Sequence, residues 1–253
     1  MGKNIVQAKI DGVVRVTLNR PGERNELTRE MLLELISLFE ELQWEPPESV
    51  KLLVIRGEGG FFCSGVEAAV GEAQGEDAID KLQKEALLFA KLLRSLAGLP
   101  FPVIAEVKGG ASEGGIGIIA SCDIVLCAEG ALFGTPEVRN GLVPAVASLY
   151  VQRKTGLSGL SLMSLWGGGF SAAEAAEFGL VGRILPGDEF DPAAAAFEEE
   201  MSASGPQAMR RMKKLLLRNF PLPVRAAEEF AALQAAEAMA SDEARDKKKK
   251  GEP

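Results

Sequence analysis

The chain has 253 residues, 47% of them hydrophobic and 25% charged, which allows one full-sized core and excludes a mainly disordered protein. Its formal net charge of −8 disfavours nucleic-acid binding, because phosphate backbones are bound by clustered positive charge. It contains no histidine, which excludes Ser-His-Asp and Cys-His catalysis and leaves acid/base chemistry to carboxylates, Lys, Cys or Tyr150.

The first elements are predicted from side-chain periodicity. Residues 5–19 largely alternate apolar and polar side chains around Asp11-Gly12, a dipeptide that favours a tight turn, so they predict a β-hairpin. Thr28 follows the loop NRPGERNE and precedes apolar residues at helical spacing. This pattern predicts a helix with Thr28 as its N-cap.

Short apolar runs dominate the middle of the chain. They predict strands at 51–56 and 102–107, each followed by glycines, and a return to strand at 123–130. Between the last two strands, residues 115–122 are small and apolar enough for a buried helix. From about residue 171 the chain is alanine-rich with helical periodicity, so its last third is expected to be helical.

The sequence carries no signal for a membrane or for secretion. No basic N-terminal flank precedes a long apolar run, and no apolar stretch reaches the about eighteen residues that a membrane helix needs. Cys63, Cys122 and Cys127 form neither a CxxC pair nor an even set, which favours reduced thiols in the cytoplasm. The basic block Lys247–Lys250 is interpreted as a solvated tail.

Four passages occur in a characteristic order. They are NRPGERNEL at 19–27, FFCSGVE at 61–67, a long glycine-containing block at 102–145, and FSAAEAAEFGLVGRILP at 170–186. The long block holds a Gly-rich loop, a CD turn, FGTPE and GLVP almost without gaps. In this order the passages resemble the crotonase (enoyl-CoA hydratase/isomerase) superfamily over roughly residues 4–250.

This resemblance implies an α/β fold, the crotonase (ClpP-like) spiral of repeated strand-strand-helix (ββα) units with a C-terminal helical region. We place the spiral core at residues 1–190 and the helical region at 191–253. In the family this region packs trimers, often paired into hexamers, so a homotrimer or homohexamer is expected. The apolar, amphipathic character of residues 205–240 favours the same assembly.

The resemblance also implies an acyl-CoA thioester as substrate, with no cofactor and no metal. The family stabilises negative charge on the thioester oxygen with two backbone N–H groups, which by resemblance are those of Val66 and Gly114. Glu137, in GTPEV, falls on the family's second catalytic glutamate, which faces the α-carbon of the substrate. A carboxyl group partly desolvated beside an acyl chain has a raised pKa and can pass a proton near neutral pH.

Coenzyme A is expected to lie near the loop after the second strand and near the 63–67 loop. The residues assigned to it by resemblance are Arg24, Asn25, Cys63, Gly65, Glu67 and Gly110.

Two positions depart from the family pattern. Gly117 stands where hydratases carry their first glutamate, so a two-glutamate clamp on water is absent. Glu113 stands where the family usually has a glycine or another small residue, and it is either a second acid/base group or a solvent-facing side chain. The continuation GLVPAVAS at 141–148 is most similar to methylglutaconyl-CoA and related branched-chain enoyl-CoA hydratases.

Three functions are therefore open at this point. The first is enoyl-CoA hydration, and the second is Δ3-Δ2 enoyl-CoA isomerisation, which works with the later glutamate alone. The third is a crotonase-fold binding or assembly protein without strong catalysis. A dinucleotide site at GIGIIA is disfavoured, because seven residues separate Gly115 from the strand that ends at Val107.

Overall fold

The computed structural model describes residues 4–67, 77–219, 230 and 233–234. Its strands are β1 (Ile5–Ile10), β2 (Val13–Leu18), β3 (Leu52–Gly57), β4 (Val103–Val107), β5 (Gly110–Ser112), β6 (Ile124–Ala128), β7 (Leu132–Gly134), β8 (Gly169–Ser171) and β9 (Arg183–Leu185). Its helices are α1 (Arg29–Leu42), α2 (Ala78–Ala97), α3 (Gly114–Ser121), α4 (Ala145–Trp166), α5 (Ala172–Glu177), α6 (Phe190–Ser202) and α7 (Pro206–Asn219).

The strands form two sheets. The larger has the order β1-β2-β3-β4-β6-β9, and only its first pair, β1 with β2, is antiparallel. The predicted hairpin is confirmed, since Asp11 and Gly12 join this pair with φ angles of 51° and 84°. The smaller sheet has the order β5-β7-β8. Loops that end strands of both sheets lie close to α3, where the candidate site is found.

The central strands of the large sheet are buried on both faces. On β3, Leu53 and Ile55 face the larger core, which α1, α2 and α3 cover, whereas Leu52 and Val54 face a smaller core against Phe190 of α6. A strand buried on both faces has a continuous apolar run rather than an alternating one. This explains the LLVI pattern of the predicted strand.

Most of the predicted elements are observed. Helix α1 begins after Thr28, whose hydroxyl accepts a 3.2 Å hydrogen bond from the Met31 N–H, as expected of an N-cap. The buried helix predicted at 115–122 is α3, and the strands predicted at 51–56, 102–107 and 123–130 are β3, β4 and β6.

The expectation of a uniformly helical segment from residue 171 is wrong at one place. Strand β9 lies within it and pairs in parallel with β6, through Leu126↔Arg183 to Ala128↔Leu185. Three residues are too few to show a side-chain period, and this strand is specified by its pairing partner rather than by its own pattern. Sequence analysis also made no prediction for the long helices α2 and α4.

The outer face of β4 carries one buried carboxyl group, that of Glu106, which is 6% exposed. Burial raises the pKa of Glu106 to about 8, and the adjacent Glu198 of α6 contributes to this rise, whereas Arg56 and Arg15 oppose it. Arg15 is ion-paired with Glu198. This cluster joins α6 to the sheet and lies apart from the site described below.

Two further observations concern the described residues alone. None of their helices is both long and apolar enough to cross a bilayer. The tail Lys247–Lys250 and most of residues 220–253 lie outside the described residues, so the interpretation of that tail stays a prediction.

Candidate active site

Two loops meet at the N-terminus of α3. A Cβ atom built on Gly65 would lie 3.2 Å from the backbone nitrogen of Gly114 and 3.1 Å from the Cβ of Glu113. Gly65 has a φ of 122°, a conformation that side chains other than glycine rarely adopt. Both the close approach and the positive φ require a glycine at position 65. Because Gly65 has no side chain, the backbones of Val66 and Gly114 can lie close together.

Neighbouring strands determine the direction of the Val66 N–H. The Leu27 N–H donates to the Gly65 carbonyl at 2.8 Å, and the Glu67 N–H donates to the Leu27 carbonyl at 3.0 Å. In a parallel pair of this kind, the N–H of the intervening Val66 points away from Leu27. On that other edge Cys63 pairs with Ala111, so the Val66 N–H points to the side of the 110–114 segment.

The Gly114 N–H is the first of α3, and it has no partner within the helix. Neither this N–H nor that of Val66 has a hydrogen-bond acceptor among the described residues. The positive end of the helix dipole lies at the same place. Two neighbouring donors without acceptors can bind and stabilise a developing oxyanion.

Glu137 lies on a 3₁₀ turn, Pro136–Asn140, which follows Gly134, whose carbonyl accepts a hydrogen bond from the Glu113 N–H. The buried Thr135 anchors the turn by donating from its hydroxyl to the Met163 carbonyl of α4 at 2.7 Å. Glu137 itself is 8% exposed, and its Oε2 atom is buried without a hydrogen-bond partner among the described residues. A buried carboxylate oxygen without a donor favours the protonated form of the group.

The two carboxyl groups of the site influence each other. Burial raises the pKa of Glu137, its own backbone N–H opposes this, and the charge of Glu113 raises the pKa further. Burial also raises the pKa of Glu113, with a further rise from Glu26 and an opposing effect of Arg24. Carboxyl groups perturbed in this way, beside oxyanion donors, are characteristic of proton-transfer sites.

A comparison with family models identifies the family of the chain. Residues 8–251 match the model described as "Enoyl-CoA hydratase/isomerase". The chain belongs to this family. The resemblance stated from the sequence motifs is therefore confirmed, together with the expected α/β crotonase fold.

Individual relatives agree with this membership. A relative from Thermus thermophilus is 33% identical over 213 residues, which are 84% of this chain and 83% of its own. The 2,3-dehydroadipyl-CoA hydratase of Escherichia coli is 29% identical over 213 residues, which cover 84% of this chain and 81% of the length of that enzyme. A crystal structure of enoyl-CoA hydratase from Mycobacterium smegmatis matches with a TM-score of 0.86 at 27% identity and covers 94% and 92% of the two chains.

Gly117 occupies the position at which the family resemblance leads us to expect a glutamate. A Cβ atom built there would lie 2.9 Å from the Cβ of Ala147 in α4 and 3.3 Å from Cδ1 of Leu93 in α2. The position is buried and filled by its neighbours, so it offers no room for a glutamate side chain. Sequence analysis showed that the expected glutamate is absent at position 117. It did not predict this packing, because it made no prediction for α2 and α4.

Phe89 is a site residue that sequence analysis missed. Its Cζ atom would lie 3.2 Å from a Cβ built on Gly114, so the ring covers the N-terminal turn of α3. The signal that identifies it is the helical spacing of Phe89, Leu92, Leu93 and Leu96, which form the buried face of α2.

The residues assigned to coenzyme A have different surroundings. Arg24 lies over the Phe61 ring at 3.8 Å, with a φ of 50°. Asn25 is fully buried; its Oδ1 accepts from the Arg20 N–H, and its Nδ2 donates to the Glu58 and Phe61 carbonyls at 2.9 and 2.6 Å. The Asn25 side chain thus holds two loops together.

The remaining residues assigned to coenzyme A also make contacts within the fold. The Cys63 thiol is fully buried, and burial raises its pKa to about 12, so it is not a nucleophile at neutral pH. Glu67 is ion-paired with Arg20 at 3.1 Å. A Cβ atom built on Gly110 would lie 2.0 Å from the Leu132 carbonyl, so Gly110 allows β5 and β7 to approach.

Proposed function

We propose that this chain hydrates the double bond of 2-enoyl-CoA thioesters through a thioester enolate. The observation that carries the proposal is the pair of neighbouring Val66 and Gly114 N–H groups without acceptors, together with the buried Glu137 carboxyl group, whose Oε2 has no partner among the described residues and whose pKa is raised by burial and by the adjacent site residue Glu113. Membership of the enoyl-CoA hydratase/isomerase family supports an acyl-CoA substrate.

The chemistry follows from these groups. Addition of water at C3 places negative charge on the thioester oxygen, and the two N–H donors stabilise it at the N-terminus of α3. The carboxyl group of Glu137 then gives its proton to C2. Burial and the charge of Glu113 raise the pKa of Glu137, which favours the protonated form that this transfer uses.

The test is to incubate the protein with short, branched and β,γ-unsaturated acyl-CoAs and to identify products by mass. A gain of one water supports hydration, and no turnover of any bound acyl-CoA favours the non-catalytic alternative. In Glu137→Gln, kcat should fall by about a hundredfold or more with little change in CoA binding. The matched control is Glu177→Gln, an exposed carboxylate on α5.

Isomerisation is a second candidate, favoured by the packing at Gly117. Because Ala147 and Leu93 fill the space around Gly117, α3 supplies no glutamate to hold water there. Glu137 by itself could move one proton between C2 and C4 of a 3-enoyl thioester. An unchanged mass with a moved double bond would support this activity.

We also propose a homotrimer or homohexamer. Support comes from apolar side chains exposed on α4 and before it, including Leu165 at 79% and Val143 at 75%, and on α7, including Leu216. Such faces are normally covered by another copy of the chain. The prediction of assembly from the sequence also used residues 205–240. Most of that segment beyond α7 lies outside the described residues.

We further propose that the enzyme works in the cytoplasm and without a cofactor. Hydration and isomerisation involve no net oxidation, so the N–H donors and carboxyl groups of the chain are chemically sufficient. The three cysteines are unpaired and buried, which suits a reducing compartment.

A further inference from the structure

Glu113 is held in a backbone conformation that costs stability. Its φ of 51° and ψ of −128° lie in a region that glycine adopts freely and other residues avoid. A residue other than glycine is strained in this conformation. A glycine at this position would remove the strain, so the glutamate side chain is retained at an energetic cost.

The side chain of Glu113 lies inside the site. Its Oε2 atom would be 3.4 Å from a Cβ built on Gly65, the residue before the Val66 donor. Its backbone N–H donates to the Gly134 carbonyl at 3.0 Å, which fixes it beside the strand that leads to Glu137. Glu113 is half-buried, so its side chain is only partly exposed to solvent.

The carboxylate of Glu113 serves no structural purpose that can be identified. It does not cap α3, and within residues 4–67 and 77–219 it has no hydrogen bond or ion pair. The charged groups that affect it are Glu26 and Arg24, and its own charge acts on Glu137. It is therefore a second carboxyl group without a partner at the same site.

We propose that Glu113 is the second acid/base residue of this site and takes the proton of the attacking water, in place of a glutamate at position 117. This proposal rests on the proposed hydration. The Glu113 carboxylate removes one proton from water while the water oxygen bonds to C3, and the C2=C3 pair moves into the enolate. The Glu137 carboxyl then gives its proton to C2, and the proton on Glu113 passes to Glu137, so that one water is added in total.

The experiment separates the two carboxyl groups by two readouts. The first is hydration of the best enoyl-CoA found for the parent protein. The second is exchange of the α-protons of the matching saturated acyl-CoA in D₂O, which requires the N–H donors and Glu137 but no attacking water. The variants are Glu113→Gln, which keeps the shape, and Glu113→Gly, which also removes the strain.

Both Glu113 variants should lose about a hundredfold or more in hydration while exchange stays within about threefold of the parent. Glu137→Gln should lose both. Hydration at the parent rate in either Glu113 variant would overturn the proposal. So would an equal loss of hydration and exchange in both, since that would indicate a role in shaping the donor loop.

An error in the proposed hydration can be distinguished from an error in the role proposed for Glu113. If the parent protein exchanges α-protons or isomerises but hydrates nothing in the panel, hydration itself is wrong, and Glu113 has no water to activate. That outcome is read from the parent before any variant is made. A higher melting temperature for Glu113→Gly than for the parent would show separately that the strain at this residue is real.

Discussion

Replacing Gly117 by glutamate should not restore a two-glutamate site, although it restores the family's usual residue. The new Cβ would lie 2.9 Å from the Cβ of Ala147 and 3.3 Å from Cδ1 of Leu93. Neither contact is the free end of a long polar side chain that can swing into solvent. The substitution therefore forces α3 away from α4 and α2.

The change in the free energy of unfolding follows from three effects, two of which destabilise the fold and one of which stabilises it. Overpacking of a core costs about 1–3 kcal/mol, and replacing a helical glycine returns about 0.5–1 kcal/mol. Burying a carboxyl group without a partner adds a further cost of about 1–3 kcal/mol. For Gly117→Glu we expect a net loss of about 3 kcal/mol, which lowers Tm by about 10 °C in a protein of this size. Gly117→Ala has only the first two effects and should lose about 1 kcal/mol.

Stability is measured by urea unfolding and by thermal melting, and hydration is measured on the same samples. Gly117→Glu should be less stable and no faster than the parent protein. In a Glu113→Gln background it should not rescue hydration. A Gly117→Glu variant that melts like the parent and hydrates faster would refute the packing argument, because the side chain must then have found room at the site.

Three further predictions concern other parts of the molecule. Between pH 4.5 and about 8 the folded state holds a proton on Glu106 that the unfolded state has lost. The free energy of unfolding should therefore fall as the pH rises through this window. The charged or titratable groups that face Glu106 are Glu198, Arg15 and Arg56. Glu106→Gln should remove most of this dependence in urea unfolding at pH 5 and pH 8, and an unchanged slope would contradict it. Light scattering at micromolar concentration should give the mass of three or six chains, and the mass of one chain would contradict the proposed assembly. The variant Leu165→Glu should weaken the assembly, because it places a charge on the exposed apolar face of α4. Acetyl-CoA at a hundred times its Kd should stabilise the fold by about 2.7 kcal/mol and NADH should not, and the reverse result would favour a dehydrogenase.

The sequence by itself determined the elements whose signals are local. The hairpin depends on alternation around Asp11-Gly12, and α1 depends on an N-cap at Thr28 followed by a helical period. The order of the glycine-rich loops and FGTPE likewise identified the family, and it predicted a site that contains Val66, Gly114 and Glu137. The hairpin and α1 are readable because each is encoded within a few consecutive residues, and the family is readable because its passages follow one another in a fixed order along the chain.

Only the tertiary structure decided what those residues meet. Strand β9 exists because β6 offers it an edge, and the buried Asn25 amide joins two loops that are more than thirty positions apart in the chain. The space around Gly117 is closed by Ala147 and Leu93, which come from helices that the periodicity did not reveal. Whether Glu113 faces solvent or the site depends on the same kind of contact, because a side chain's burial and pKa are set by neighbours distant in sequence.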